Sequence, residues 1–187
     1  MKFNMGCGHN KLAGYVNVDL APASAPDQVF DLETTPWPWE TGCAEEVVFN
    51  HSLEHMGADP KVFLAIVSEL YRICAAGALV RIHAPHPRHD NFIGDPTHVR
   101  IVSPQVMSLF DRAQNDEWKR LGAANTPFAH YLGVDFVIEN VTTVLDEPYA
   151  TQLKTGQLRH EQVVEALRTR NNVATEFQMT LRVRKAA

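Results

Sequence analysis

Lys2-Phe3-Asn4-Met5-Gly6-Cys7-Gly8 opens the chain, and Gly14-Tyr15-Val16-Asn17-Val18-Asp19-Leu20 follows after a short link. The pattern predicts a strand, a glycine turn and a second strand with an acidic residue near its tip. In an open parallel sheet, ligands bind beyond the carboxyl ends of the strands, where the strand order reverses. Gly6 and Gly8 have no Cβ, so the backbone there can come close to a bound group. Asp19, at the tip of the neighbouring strand, can accept hydrogen bonds from a ribose diol. Together these parts predict a nucleoside-binding crevice. The dinucleotide fingerprint has a third glycine and an acid about 20 residues on, whereas Asp19 follows Gly8 by eleven positions. A ligand without phosphates fits that spacing better.

Working outward, 187 residues suffice for one sizeable core, and one domain is the expectation. The formal charge of −5 argues against nucleic acid as a partner, because a broad basic footprint is missing. No run approaches the ~18 apolar residues of a membrane span. With a strand starting at once, no room is left for a signal peptide. Cys7, Cys43 and Cys74 lack metal or redox spacing, so reduced thiols in the cytoplasm are expected.

The rest of the chain alternates strands with helices. Val29-Phe30-Asp31-Leu32, Glu45-Glu46-Val47-Val48-Phe49-Asn50 and Ala78-Leu79-Val80-Arg81-Ile82-His83-Ala84-Pro85 read as strands. Asp59-Pro60 starts a helix, since Asp caps free amides and Pro suits the first turn. Its apolar face is Phe63, Ile66, Val67, Leu70 and Ile73, with Gly77 as its stop. Residues 86–104 form a long polar loop, and Ser103-Pro104 caps a helix running to about Arg112. A strand at Phe136 to Val144, a charged helix from Leu158 to Thr169 and a closing strand from Thr175 to Arg184 complete the reading. Such alternation predicts an α/β fold with a mostly parallel sheet.

Several blocks in order carry a resemblance: Asn4-Met5-Gly6-Cys7-Gly8, Gly14 to Asp19, Asp31-Leu32, Asn50-His51-Ser52-Leu53-Glu54-His55, Glu69 to Gly77 and Gly94-Asp95-Pro96-Thr97-His98. From residue 2 to about 112 the chain resembles class I S-adenosylmethionine-dependent methyltransferases, most of all the small type-11-like group. The resemblance implies a Rossmann-like, seven-stranded, mostly parallel sheet flanked by helices, its last strand antiparallel. It implies S-adenosyl-L-methionine as cofactor and a small-molecule or glycan acceptor methylated on oxygen or nitrogen. Backbone at Gly6 and Gly8 would pass beneath the methionine part, and Asp19 would bind the ribose. Asp31 and the Leu32 backbone would meet the adenine, and Asn50 and His51 would lie near the sulfonium. Asp31 also reads as a plain turn residue.

The chain departs from the family pattern by lacking helices before its first strand and a full crossover helix after it. Parallel neighbours normally need a crossover of about a dozen residues. One sheet face is therefore expected to be thinly covered. Residues 145–173 are expected to fold over it as a helical insertion within a single 1–187 domain, unless a homodimer covers it.

His51-Ser52-Leu53-Glu54-His55 matches a zinc-peptidase pattern in which both histidines share a helix face, but the preceding strand is the wrong context. His83, His86, His89 and His98 fit no standard ligand spacing, and no metal is expected there. His98 is the candidate general base, with Asp95 orienting it; the alternative is a turn in which Asp95 caps backbone amides. Trp37, Trp39 and Phe92 are candidates to close the pocket, and Arg88 and Arg100 to meet an anionic acceptor. The alternative function is a non-catalytic S-adenosylmethionine-binding regulatory or assembly module.

Overall fold

The computed structural model describes residues 1–185. The chain runs through β1 (Lys2–Met5), β2 (Val16–Asp19), β3 (Gln28–Val29), β4 (Ala44–Asn50), α1 (Pro60–Ile73) and β5 (Cys74–Pro85). Short helices α2 (Asp90–Ile93), α3 (Pro104–Met107), α4 (Arg112–Leu121) and α5 (Phe128–Leu132) follow. Then come β6 (Phe136–Leu145), α6 (Tyr149–Lys154), α7 (His160–Thr169) and β7 (Ala174–Val183). The strands form one seven-stranded sheet ordered β3-β2-β1-β4-β5-β7-β6. Neighbours among β1 to β5 pair in parallel, and β7 runs antiparallel to both β5 and β6. This is the Rossmann-like sheet with a reversed last strand that the resemblance implies. Strand order turns back between β1 and β4, which sets the crevice at their carboxyl ends.

Helix α1 forms as its sequence dictates. The Asp59 carboxylate accepts from the Lys61 amide at 2.8 Å, and Phe63, Ile66, Val67, Leu70 and Ile73 are all buried. They join one core with Phe3, Met5, Val47, Phe49, Val80, Ile82, Met179, Leu181 and Val183. The helix ends at Ile73, ahead of Gly77, because the chain enters β5 directly at Cys74. Strand β3 is only Gln28–Val29; Asp31 turns the chain out of the sheet by accepting from the Glu33 amide. Trp37 and Trp39 are core residues rather than pocket closers. Their indole N–H groups donate to the Leu32 carbonyl and to Gln28 Oε1, each at 2.9 Å.

The link between β1 and β2 has no helix at all. Buried polar side chains hold it instead. Asn4 Nδ2 donates to the Asn10 carbonyl and to Asn17 Oδ1, which also accepts from the Leu12 amide. Asn17 in turn donates to Asp27 from both its amide and its side chain, at 2.8 Å each. Such a network replaces helix packing with fully satisfied hydrogen bonds.

Among the described residues the expected cover by residues 145–173 does not lie over the second sheet face, and the sequence explains why. Residues of β1, β4, β5, β7 and β6 that face away from the core include Lys2, Glu46, Arg81, Arg182 and Glu139, a charged set rather than an apolar one. Glu46 accepts from Lys2 at 3.0 Å and from Arg81 at 2.7 Å, while Lys2 and Arg81 remain about half exposed at 46% and 47%. Residues 145–173 are helical as expected but sit elsewhere. Arg168 offers its carbonyl to Arg88, the Asn172 amide donates to the Arg88 carbonyl, and Leu167 lines a cleft with His86, Ser103 and Phe177. Charged surface needs no lid, so the reason for expecting one falls away.

Burial works to raise the Glu46 carboxyl, but hydrogen bonds from Arg81, Lys2 and Tyr15 outweigh it and hold its pKa at about 2. A depressed folded-state pKa means the stabilisation is fully present above the usual 4.5 and is lost as pH falls through about 2. Glu46→Gln should therefore cost about 1–2 kcal/mol at pH 7. The gap to the parent should close at the acid end, as read by urea denaturation across pH.

Candidate functional site

A cavity of about 490 Å³ opens at the carboxyl ends of β1, β2 and β4. The structure brings Gly6, Gly8, Asp19, Asp31, Leu32 and His51 together around it. Asn50, the last residue of β4, is exposed and does not line it. Leu20, Phe30, Glu33, Ser52, His55 and Met56 supply the rest of the wall.

Gly6 and Gly8 both have positive φ, at +67° and +49°. At Gly6 an added Cβ would sit 2.5 Å from the Ser52 Cβ, and Ser52 is fixed by donating its hydroxyl to the Met5 carbonyl at 2.8 Å. At Gly8 an added Cβ would meet nothing within 4 Å. The Gly8 amide donates to Asp19 Oδ2 at 2.7 Å, and the Ala21 amide donates to Asp19 Oδ1 at 2.8 Å. Asp19 thus ties the glycine turn to the end of β2, and each oxygen keeps a lone pair for a further donor. Asp31 makes the turn described above. The Leu32 carbonyl is taken by Trp37, while the Leu32 amide has no partner among the described residues.

On the opposite rim, His51 takes a left-handed backbone at φ +51° and pairs its Nε2 with Glu176 Oε2 at 2.7 Å. Its Nδ1 lies 3.5 Å from Glu54 Oε1. The neighbouring Glu54 raises the His51 pKa, burial opposes that, and Glu176 adds to the rise. Leu53–His55 is a single 3₁₀ turn, so His51 and His55 do not share a helix face and the zinc-peptidase arrangement is not formed.

His98 does not donate a hydrogen bond to Asp95. Its Nε2 is 3.8 Å from Asp95 Oδ2, while its Nδ1 meets the Phe92 carbonyl at 3.0 Å and its ring stacks on Phe92. Asp95 Oδ1 instead accepts from the Thr97 amide and hydroxyl, at 2.8 and 2.6 Å. The turn reading of Asp95 holds, because an Asp two residues before a free amide closes its own local ring first. Further along the loop, His89 caps α2 by accepting from the Asn91 amide and pairs with Asp146 at 3.0 Å. His86 is buried, and burial lowers its pKa. Arg100 donates to the Gly57 carbonyl at 3.0 Å and lies over the Phe63 ring, so it is an anchor of the loop.

No family model matches the sequence, and no curated protein does. Solved structures do match. A SAM-dependent methyltransferase from Archaeoglobus fulgidus superposes with a TM-score of 0.63 at 17% identity, covering 97% of this chain and 85% of that one. The fold is that of the class I S-adenosylmethionine-dependent methyltransferases. The YcgJ protein from Bacillus subtilis superposes with a TM-score of 0.54 at 12% identity, over 100% of this chain and 92% of that one. The [4+2]-cyclase SpnF superposes as well, with a TM-score of 0.55 at 13% identity over 99% of this chain and 75% of its own. No helix among the described residues is long and apolar enough to cross a membrane.

The two glycines predict different outcomes in this fold. Gly6→Ala combines backbone strain with a clash and should cost about 2–3 kcal/mol, whereas Gly8→Ala carries strain alone and should cost about 1–2 kcal/mol. Urea denaturation of the two variants measures the difference.

Proposed function

We propose that the chain is an S-adenosylmethionine-dependent methyltransferase acting on a small-molecule or glycan acceptor at oxygen or nitrogen. One observation carries this reading: a glycine turn and a strand-end carboxylate, bonded to each other, wall a cavity at the reversal point of the sheet. The donors fit the cofactor. Gly8 leaves open space where any side chain would stand, Asp19 keeps lone pairs for the ribose, and the free Leu32 amide suits a ring nitrogen. Leu20, Phe30 and Met56 offer apolar surface to a purine, and Asp31 can accept from its amino group.

When bound, the cofactor supplies a methyl group on a sulfonium, and in-line displacement makes alignment the main contribution to rate. The chain's own residues then hold the reactants and manage a proton. Gly6 and Gly8 would support the amino-acid end, and His51, paired with Glu176, would stand beside the reacting centre. The loop from His86 to Arg100 is the acceptor side, from which His98 Nε2 would take a proton from a hydroxyl or amine.

The SpnF likeness is the observation behind a second reading, that the cofactor site serves a role other than methyl transfer. Calorimetry with S-adenosylhomocysteine tests the shared premise: micromolar binding is expected. Asp19→Ala should weaken it at least tenfold, or about 1.4 kcal/mol. Absence of binding at millimolar nucleoside would overturn both readings. Methyl transfer from labelled S-adenosylmethionine to an acceptor panel separates the first from the second.

A further inference from the structure

Glu54 is completely buried, and neither of its carboxylate oxygens has a hydrogen-bond partner. His51 stands beside it, with its Nδ1 3.5 Å from Glu54 Oε1 and no hydrogen bond formed between them. A desolvated carboxylate held like this calls for a positive charge beside it. Two imidazoles stand there. One donor atom each from Glu54, His55 and His98 lies within 4.8 Å of the others.

The hydrogen bonds around the two histidines fix which nitrogen is free. The Thr97 hydroxyl donates to Asp95 Oδ1 at 2.6 Å, so its oxygen accepts from His55 Nδ1 at 2.9 Å. His98 Nδ1 donates to the Phe92 carbonyl at 3.0 Å. In the neutral tautomer both rings therefore carry their proton on Nδ1, which leaves Nε2 as the ligand atom. Metal-binding histidines are held in this way, with the other N–H tied to a carbonyl or to a carboxylate-backed group. The backbone fixes the spacing too, because the Val99 and Arg100 amides both donate to the Glu54 carbonyl, at 3.0 and 3.1 Å.

We infer that Glu54, His55 and His98 form a binding site for a divalent transition-metal ion. Two imidazole nitrogens and one carboxylate suit zinc, cobalt or iron(II) better than magnesium or calcium, which prefer oxygen donors alone. Three protein ligands leave a coordination position open. His55 also lines the cavity, so that position is available to an oxygen donor such as an acceptor's hydroxylate or carboxylate. In this arrangement His98 would hold the ion, and the ion, rather than the imidazole, would lower the acceptor's pKa so that its proton passes to solvent water. The acceptor role rests on the methyltransferase reading, whereas metal binding itself does not.

The test is titration of tag-free, chelator-stripped protein with cobalt(II), followed by visible absorption, and with zinc(II), followed by calorimetry. One equivalent is expected to bind, with a d–d band for cobalt. Glu54→Gln, His98→Ala and His55→Ala should each weaken binding at least tenfold. His55 is exposed, so its variant keeps the fold even if a change at buried Glu54 does not, and circular dichroism checks this. No saturable uptake by the parent, or parent-like affinity in both histidine variants, would overturn the site whatever S-adenosylhomocysteine does. Cobalt uptake without nucleoside binding would uphold the ion site and remove its acceptor role.

Discussion

The hydrogen bond from the Gly8 amide to the Asp19 carboxylate is the constraint on which the rest of the site depends. It joins the end of β1 to the end of β2 across a link that has no helix to brace it. The same carboxylate also caps the Ala21 amide, so one side chain shapes the turns on both sides of the cavity floor. Behind it, Asn4, Asn17 and Asp27 carry the load that a crossover helix would otherwise bear. The shortened fold works because its polar groups are paired with one another and not because apolar surface is hidden.

That economy extends to the sheet. Glu46, Lys2 and Arg81 on one side, with Arg182 and Glu139 beside them, let the strands meet water directly. The large apolar side chains Phe3, Met5, Val47, Phe49, Val80 and Ile82 of β1, β4 and β5 then gather in a single core with those of α1. The same balance of charges that spares the sheet a second helical layer leaves Glu46 ionised well into the acid range.

Much of this was legible in the sequence, and the rest was hidden for physical reasons. The N-cap and 3.6-residue spacing of α1 located every one of its buried residues, because a capped helix with one apolar face is a local object. The crevice residues Gly6, Gly8 and Asp19 were legible for the same reason. Helix α4 was missed although Asp111 caps it and Gly122 ends it at φ +70°, since it buries only Asn115 and shows almost no apolar stripe. The bare sheet face was misjudged because the expectation came from apolar sheets, while Lys2, Glu46 and Arg81 stood in the alternating positions throughout. Phe30 read only as part of a strand and Met56 drew no reading, since nothing local marks either as cavity wall. The meeting of Glu54, His55 and His98 is a tertiary fact that no spacing within either segment announces.

The Glu54 carbonyl takes both the Val99 and the Arg100 amide, which makes the rim of the cavity part of the frame. For the two segments to separate, both bonds must break together, and Arg100 must also leave Gly57. The entrance is thereby braced by the same hydrogen bonds that hold the frame. A change in what the cavity accepts would then come from replacing its wall side chains, His51, His55 and Met56 among them, and not from altering the motion of a lid.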